Sequence, residues 1–181
     1  MIGLPTSLNV AGEEYPIRTD YRVILTIFAA FSDPNMNDRE KITTCLNCLY
    51  KIIPEDTEGA MKQAMWFIDG AEVPGNSPHN LRLMDWEQDE GMIFAAVNRV
   101  AGKEIRAVEY LHWWTFLGYF YEIGDGRFAT VVGIRSKMAK GKPLTKEERE
   151  LLRDNGDTIK LKTRYSDEEI EEQERLKAIF T

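Results

Sequence analysis

Tyr110-Leu-His-Trp-Trp-Thr-Phe-Leu-Gly-Tyr-Phe-Tyr121 gathers seven of the chain's 19 Phe, Trp and Tyr residues into 12 positions. On a helix turning about 100° per residue, Trp113, Leu117, Phe120, Tyr110, Tyr121 and Trp114 fill one broad arc, and Phe116 and Tyr119 widen it. Such a face exceeds what one-sided burial uses. Two readings stand: the helix is enclosed by its own domain, or it lends part of its face to another protein. Trp113, Leu117 and Phe120 form the expected core arc, with Tyr110, Trp114 and Tyr121 on the contestable one.

Outward from this segment the apolar pattern is helical almost throughout. Thr19-Asp20 caps a run in which Val23, Ile24, Ile27, Phe28 and Phe31 keep helical spacing until Pro34. Asn37 with Glu40 forms a capping box before Ile42, Cys45, Leu46, Leu49 and Ile53. A third helix is expected over 56–69, with Met61, Ala64, Met65 and Ile68 inward and Gly70 ending it. Val73–His79, with two prolines, reads as a loop. The next helix is expected to start at Asp85 and end at Ala101-Gly102, with Trp86, Ile93, Val97 and Val100 on one stripe and Glu87, Asp89 and Glu90 facing water. The aromatic helix should run from about Glu104 to Ile123, followed by one carrying Phe128, Val131 and Val132 with a basic end at Arg135, Lys137 and Lys140. Thr145 with Glu148 and Ser166 with Glu169 mark two last, charged helices. Before all these, Leu4–Val10 and Glu14–Ile17 flank a glycine-containing turn and predict a β-hairpin.

The fold class that follows is mainly α: one multi-helix domain with an N-terminal β-hairpin (1–18), a helical core (19–140) and a charged helical tail (141–181). A chain of 181 residues with 43% hydrophobic side chains should bury about 70% of its unfolded surface and needs no staple. No apolar run is long enough to span a bilayer, and the start lacks a signal-peptide layout, so a cytoplasmic location is expected. Charge is unevenly spread: residues 1–134 balance to −8, 135–165 to +5 and 166–181 to −4. The acidic body argues against non-specific nucleic-acid binding. The basic segment of one copy meeting the acidic tail of another would give a weak homo-oligomer.

Chemistry is sparsely represented. Cys45-Leu-Asn-Cys48 could be half a zinc site, but zinc needs four ligands and the chain has only His79 and His112 besides; the pair reads as small apolar filler. Glu109-Tyr-Leu-His112 has the Glu-x-x-His spacing of carboxylate-bridged di-iron bundles but lacks the second pair those sites use. The simpler role for His112 is a hydrogen-bonded imidazole that orients its helix. Neither a nucleophile elbow nor a phosphate-cradling glycine loop is present. No catalytic residue, metal or cofactor is expected, and the chain does not read as an enzyme.

Glu14-Tyr-Pro-Ile-Arg-Thr-Asp-Tyr-Arg22, Trp66-Phe67, the acidic lead Asp85–Glu90, Ile93-Phe-Ala-Ala96 and above all Leu111-His-Trp-Trp-Thr-Phe116, followed by Phe128 and Gly133-Ile-Arg135, resemble a known family. It is the phage gene-product-fifteen type of tail assembly chaperone of siphophages and prophages of Gram-positive bacteria. The likeness runs nearly end to end, departing at Gly102–Ile105 and in the charged tail. It implies a protein of the infected cell that binds the tape measure protein, keeps it soluble, assists polymerisation of the tail tube protein and is absent from the mature virion. The alternative is a structural tail or head-tail joining protein retained in the virion. Covering an amphipathic helix calls for an apolar groove with adaptable walls. Tyr110, Trp114 and Tyr121, with Met61, Met65, Met84 and Met92, are the expected partner-binding residues.

Overall fold

A computed structural model of the chain describes residues 3–71 and 81–179, with side chains up to Leu176. The loop expected over 73–79, His79 included, lies outside the described residues. Strands β1 (Ser7–Val10) and β2 (Glu13–Pro16) pair antiparallel in the register Leu8↔Tyr15. Their two-residue loop places Ala11 at φ 51° and Gly12 at φ 90°, the doubly positive conformation that tight hairpins use. Leu8 and Val10 point into the core and Ile17 bridges to Tyr50, so the hairpin lies against the helices.

Helices α1 (Tyr21–Ser32), α2 (Asp38–Leu49), α3 (Thr57–Ile68), α4 (Glu90–Ala101), α5 (Trp113–Tyr121), α6 (Arg127–Ala139), α7 (Lys146–Asp154), α8 (Gly156–Ile159) and α9 (Asp167–Ile179) follow. Among the described residues this is a mainly α domain, 58% helical, with one two-stranded hairpin. Its helix starts are the ones that capping chemistry dictates. Asp20 accepts from Arg22 N–H, and the Asn37/Glu40 and Thr145/Glu148 capping boxes are both formed. Gly102 closes α4 at φ 66°, the left-handed conformation that glycine adopts without steric cost. Gly70, at φ 69° after α3, also lies so near Leu117 that an added Cβ would sit 3.0 Å from its Cδ1.

The aromatic helix is shorter than expected. Residues 104–112 form a 3-10 turn (Ile105–Ala107) and then extended chain, and α5 starts only at Trp113. The cause is competition for backbone groups. Tyr21 N–H donates to Leu111 O (3.0 Å), Trp113 N–H to Thr19 O (2.7 Å) and Leu111 N–H to the Asp20 carboxylate (3.1 Å), so this segment pairs with 19–21 rather than with itself. His112 caps the helix: its Nδ1 accepts from Trp114 N–H (3.0 Å), which leaves Nε2–H to donate to Pro5 O (3.0 Å). Glu109 and His112 therefore share no helix, and both imidazole nitrogens are occupied. The two indoles that follow donate to carbonyls at the end of α3, Trp113 to Ile68 O (2.8 Å) and Trp114 to Phe67 O (2.9 Å), where helix carbonyls lose their intrahelical partners. Leu-His-Trp-Trp is thus a structural knot that joins the N-terminal segment, α3 and α5.

The start of α4 also differs from the expectation. Its helix begins at Glu90, not Asp85, and Asp89 does not face water. Asp89 is 0% exposed and makes a bidentate pair with Arg135 of α6, itself 5% exposed, at 2.6 and 2.9 Å. The guanidinium also donates to Leu83 O, Thr158 O and Ile159 O, so all five of its N–H groups are used. The basic end expected for α6 is in this respect a buried junction. Beside it Val131, Ile134 and Ile159 form a small second core with Leu144 and Leu152, which fastens α7 and α8 to the body.

Candidate partner-binding groove

The face where α1 and α4 approach each other leaves an open groove of about 340 Å³. Its floor is aromatic because α1 is apolar around most of its circumference: Leu25, Phe28 and Ala29 lie beside the buried Ile24–Ile27 stripe and line the groove. Phe28 stacks on Trp86 with ring centroids 5.3 Å apart and planes 3° from parallel. Trp86 in turn leans on Phe120 (5.1 Å) and Trp113 (6.3 Å), and Tyr21 stacks on Phe116 (4.9 Å). The groove is therefore floored by one aromatic cluster continuous with the core.

Charges of both signs rim it, and the cations are held in place. Arg22 grips the Asp20 carboxylate (3.1 and 3.0 Å), donates to Val108 O and lies over the Tyr21 ring. Arg106 pairs with Glu104 and lies over Phe94; its guanidinium holds the Glu104 carboxyl at about 2, well below the ordinary carboxylate value. Arg164 pairs with Asp85 (2.8 Å) and Glu87. Burial pushes the Asp85 carboxyl up, but Gln88 N–H, Arg82 and Arg164 together bring it below its ordinary value. Glu87 and Glu90 complete the lining.

None of the expected partner-binding residues lines this groove. Tyr110 and Tyr121 are 55% and 58% exposed, the first on the extended segment, where it shares a 2.7 Å hydrogen bond with Thr19 Oγ1, and the second on the last turn of α5. Trp114 is half-buried against Trp66, edge to face at 5.5 Å. Met61 and Met65 share a shallow groove with Ile42, whereas Met92 lines a different hollow between α4 and α6. Trp113 and Leu117 are buried and Phe120 partly so, while Phe116 is fully buried. The sequence reading missed Phe28, Trp86 and Phe94 as groove residues because it set Phe28 and Trp86 on inward stripes. The signal was available in α1, whose apolar arc is as over-wide as that of 110–121.

Cys45 is buried, and burial pushes its thiol up to about 12. Among the described residues no group of three or more His, Cys, Asp and Glu side chains could hold a metal ion, and no helix is long and apolar enough to cross a membrane. No curated protein and no solved structure matches the chain. The model of the family described as Bacteriophage Gp15 protein matches residues 2–166, and the chain belongs to that bacteriophage family.

Proposed function

We propose that this phage protein is a tail assembly chaperone that binds the tape measure protein, seating apolar anchors of its helices in the α1/α4 groove. The observation that carries this reading is the groove itself: an aromatic floor open to solvent, with arginines and glutamates already fixed around it. Helix-in-groove recognition uses apolar pockets for anchors at i, i+3/i+4 and i+7 and a polar rim that sets orientation. Because Arg22, Arg106 and Arg164 are held by their ion pairs before any partner arrives, little side-chain entropy is lost on binding. Exposed apolar floors of this kind are otherwise a liability in a small protein.

In this reading the protein has no catalytic role, acts in the host cytoplasm, keeps the tape measure protein soluble while the tail tube protein polymerises around it, and leaves before the virion is complete. Co-expression with the tape measure protein of the same phage tests it. A tape measure protein that is insoluble alone should become soluble and co-purify with this chain. If it stays insoluble, or if mass spectrometry finds this chain as a regular component of purified virions, the reading fails and a retained structural tail protein takes its place.

A further inference from the structure

A second open surface runs along α6. Two adjoining hollows of about 390 and 260 Å³ share Arg127 and Thr158. Their floor is Met92, Ala96, Phe128, Val131 and Ile134, with Leu151 at one edge. Among the described residues the only charged side chains lining them are Arg99 and Arg127. Among the described residues neither forms an ion pair, although Arg99 donates to Asp125 O (2.7 Å). This basic, apolar hollow therefore lacks the carboxylates that neutralise the arginines of the α1/α4 groove.

The same chain carries a helix with the complementary pattern. In α9, Ile170, Gln173 and Leu176 form a ridge at three-residue spacing, with Glu169, Glu171, Glu172 and Glu174 on either side. Ile170 and Leu176 are 45% and 50% exposed. Residues 166–181 hold six acidic and two basic side chains. The helix cannot easily return to the hollow of its own body. From Gln88, at the edge of the hollow, the chain is led toward the α1/α4 groove: Lys162 N–H donates to Gln88 Oε1 (2.9 Å), Arg164 pairs with Asp85 and Glu87, and Asp167 N–H donates to Asn35 Oδ1 (2.8 Å). Helix α9 therefore starts beside the end of α1.

We propose that α9 of one copy docks in the α6 hollow of a second copy, with Ile170 and Leu176 on its apolar floor and the flanking glutamates on Arg99 and Arg127. Donor and acceptor surfaces differ, so each copy offers one helix and one hollow, and the contact links copies head to tail or by reciprocal exchange. It uses a surface separate from the α1/α4 groove and does not rest on the chaperone reading.

Sedimentation equilibrium of the full chain tests it. At low salt the mass should rise with concentration, and about 1 M salt, which screens charges beyond about 3 Å, should weaken association. Arg127→Glu, an exposed substitution, should weaken it about tenfold, as should Glu171→Lys combined with Glu172→Lys. Mixing the two variants should restore it, since each then meets the opposite charge. A constant monomer mass at low salt, association indifferent to either variant, or no recovery on mixing would overturn the proposal.

Discussion

The two surfaces that flank α4 differ in how their arginines are held. On the α1 side Arg22, Arg106 and Arg164 are each locked to a carboxylate and the floor is aromatic. On the α6 side Arg99 and Arg127 have no carboxylate partner among the described residues, and the floor is mainly Met92, Ala96, Val131 and Ile134, with Phe128 its aromatic member. A neutralised rim over aromatic rings favours a partner through apolar contact and changes little with salt. Unpaired cations over a shallow floor favour an acidic partner and depend on salt. One short helix thus separates a surface suited to a foreign amphipathic helix from one suited to the chain's own tail.

The largest expected effect comes from the junction that keeps α4 between these surfaces. Replacing Asp89 by Ala leaves Arg135 buried without its counter-charge and should cost about 3–5 kcal/mol in urea unfolding. Replacing both together, Asp89→Leu with Arg135→Met, should recover most of that loss. An Asp89→Ala protein as stable as wild type would mean that the pair does not hold α4 in place.

The next effect separates the surfaces. Ala29→Arg sets a charge on the floor of the α1/α4 groove at a half-buried helical position. It should reduce tape measure binding at least about tenfold, change stability by only about 0.5 kcal/mol and leave self-association untouched. Equal loss of both activities would show that the two surfaces are not independent.

Acid should act on the α1 side through Asp85. The Asp85 carboxyl is lowered in the folded chain, so its contribution is full above its ordinary pKa of 3.8 and is lost as pH falls below that value through the folded one. Unfolding free energy followed from pH 6 to about pH 2 should therefore fall less steeply in Asp85→Asn than in wild type. Smallest of all is a control on the core: Cys45, with its thiol at about 12, should resist alkylation until global unfolding, whichever surface is occupied.

The sequence carried most of the local structure, because local rules were in force. The Asn37/Glu40 and Thr145/Glu148 boxes, the hairpin turn at Ala11-Gly12 and the Cys45–Leu49 stripe are set by neighbours a few residues away. What escaped it depends on partners distant in sequence. Asp20 and Thr19 draw Leu111 and Trp113 out of a helix that composition alone allows. Asp89 stands at the N-terminal cap of α4, where acids normally face water, and only Arg135, 46 residues on, shows that it is buried. The aromatic excess of 110–121 was legible, but its destination was not. Trp113 and Phe116 went to the core, while the open aromatic floor belongs to Phe28 and Trp86.

On the proposed function, the α1/α4 groove receives the tape measure protein. Its most direct test is binding of a soluble tape measure fragment to purified wild-type and Ala29→Arg proteins, side by side, at two salt concentrations. Tight binding to wild type that salt barely alters is expected, with at least about tenfold weaker binding to the variant. Equal binding to both proteins, or no binding to wild type, would contradict it.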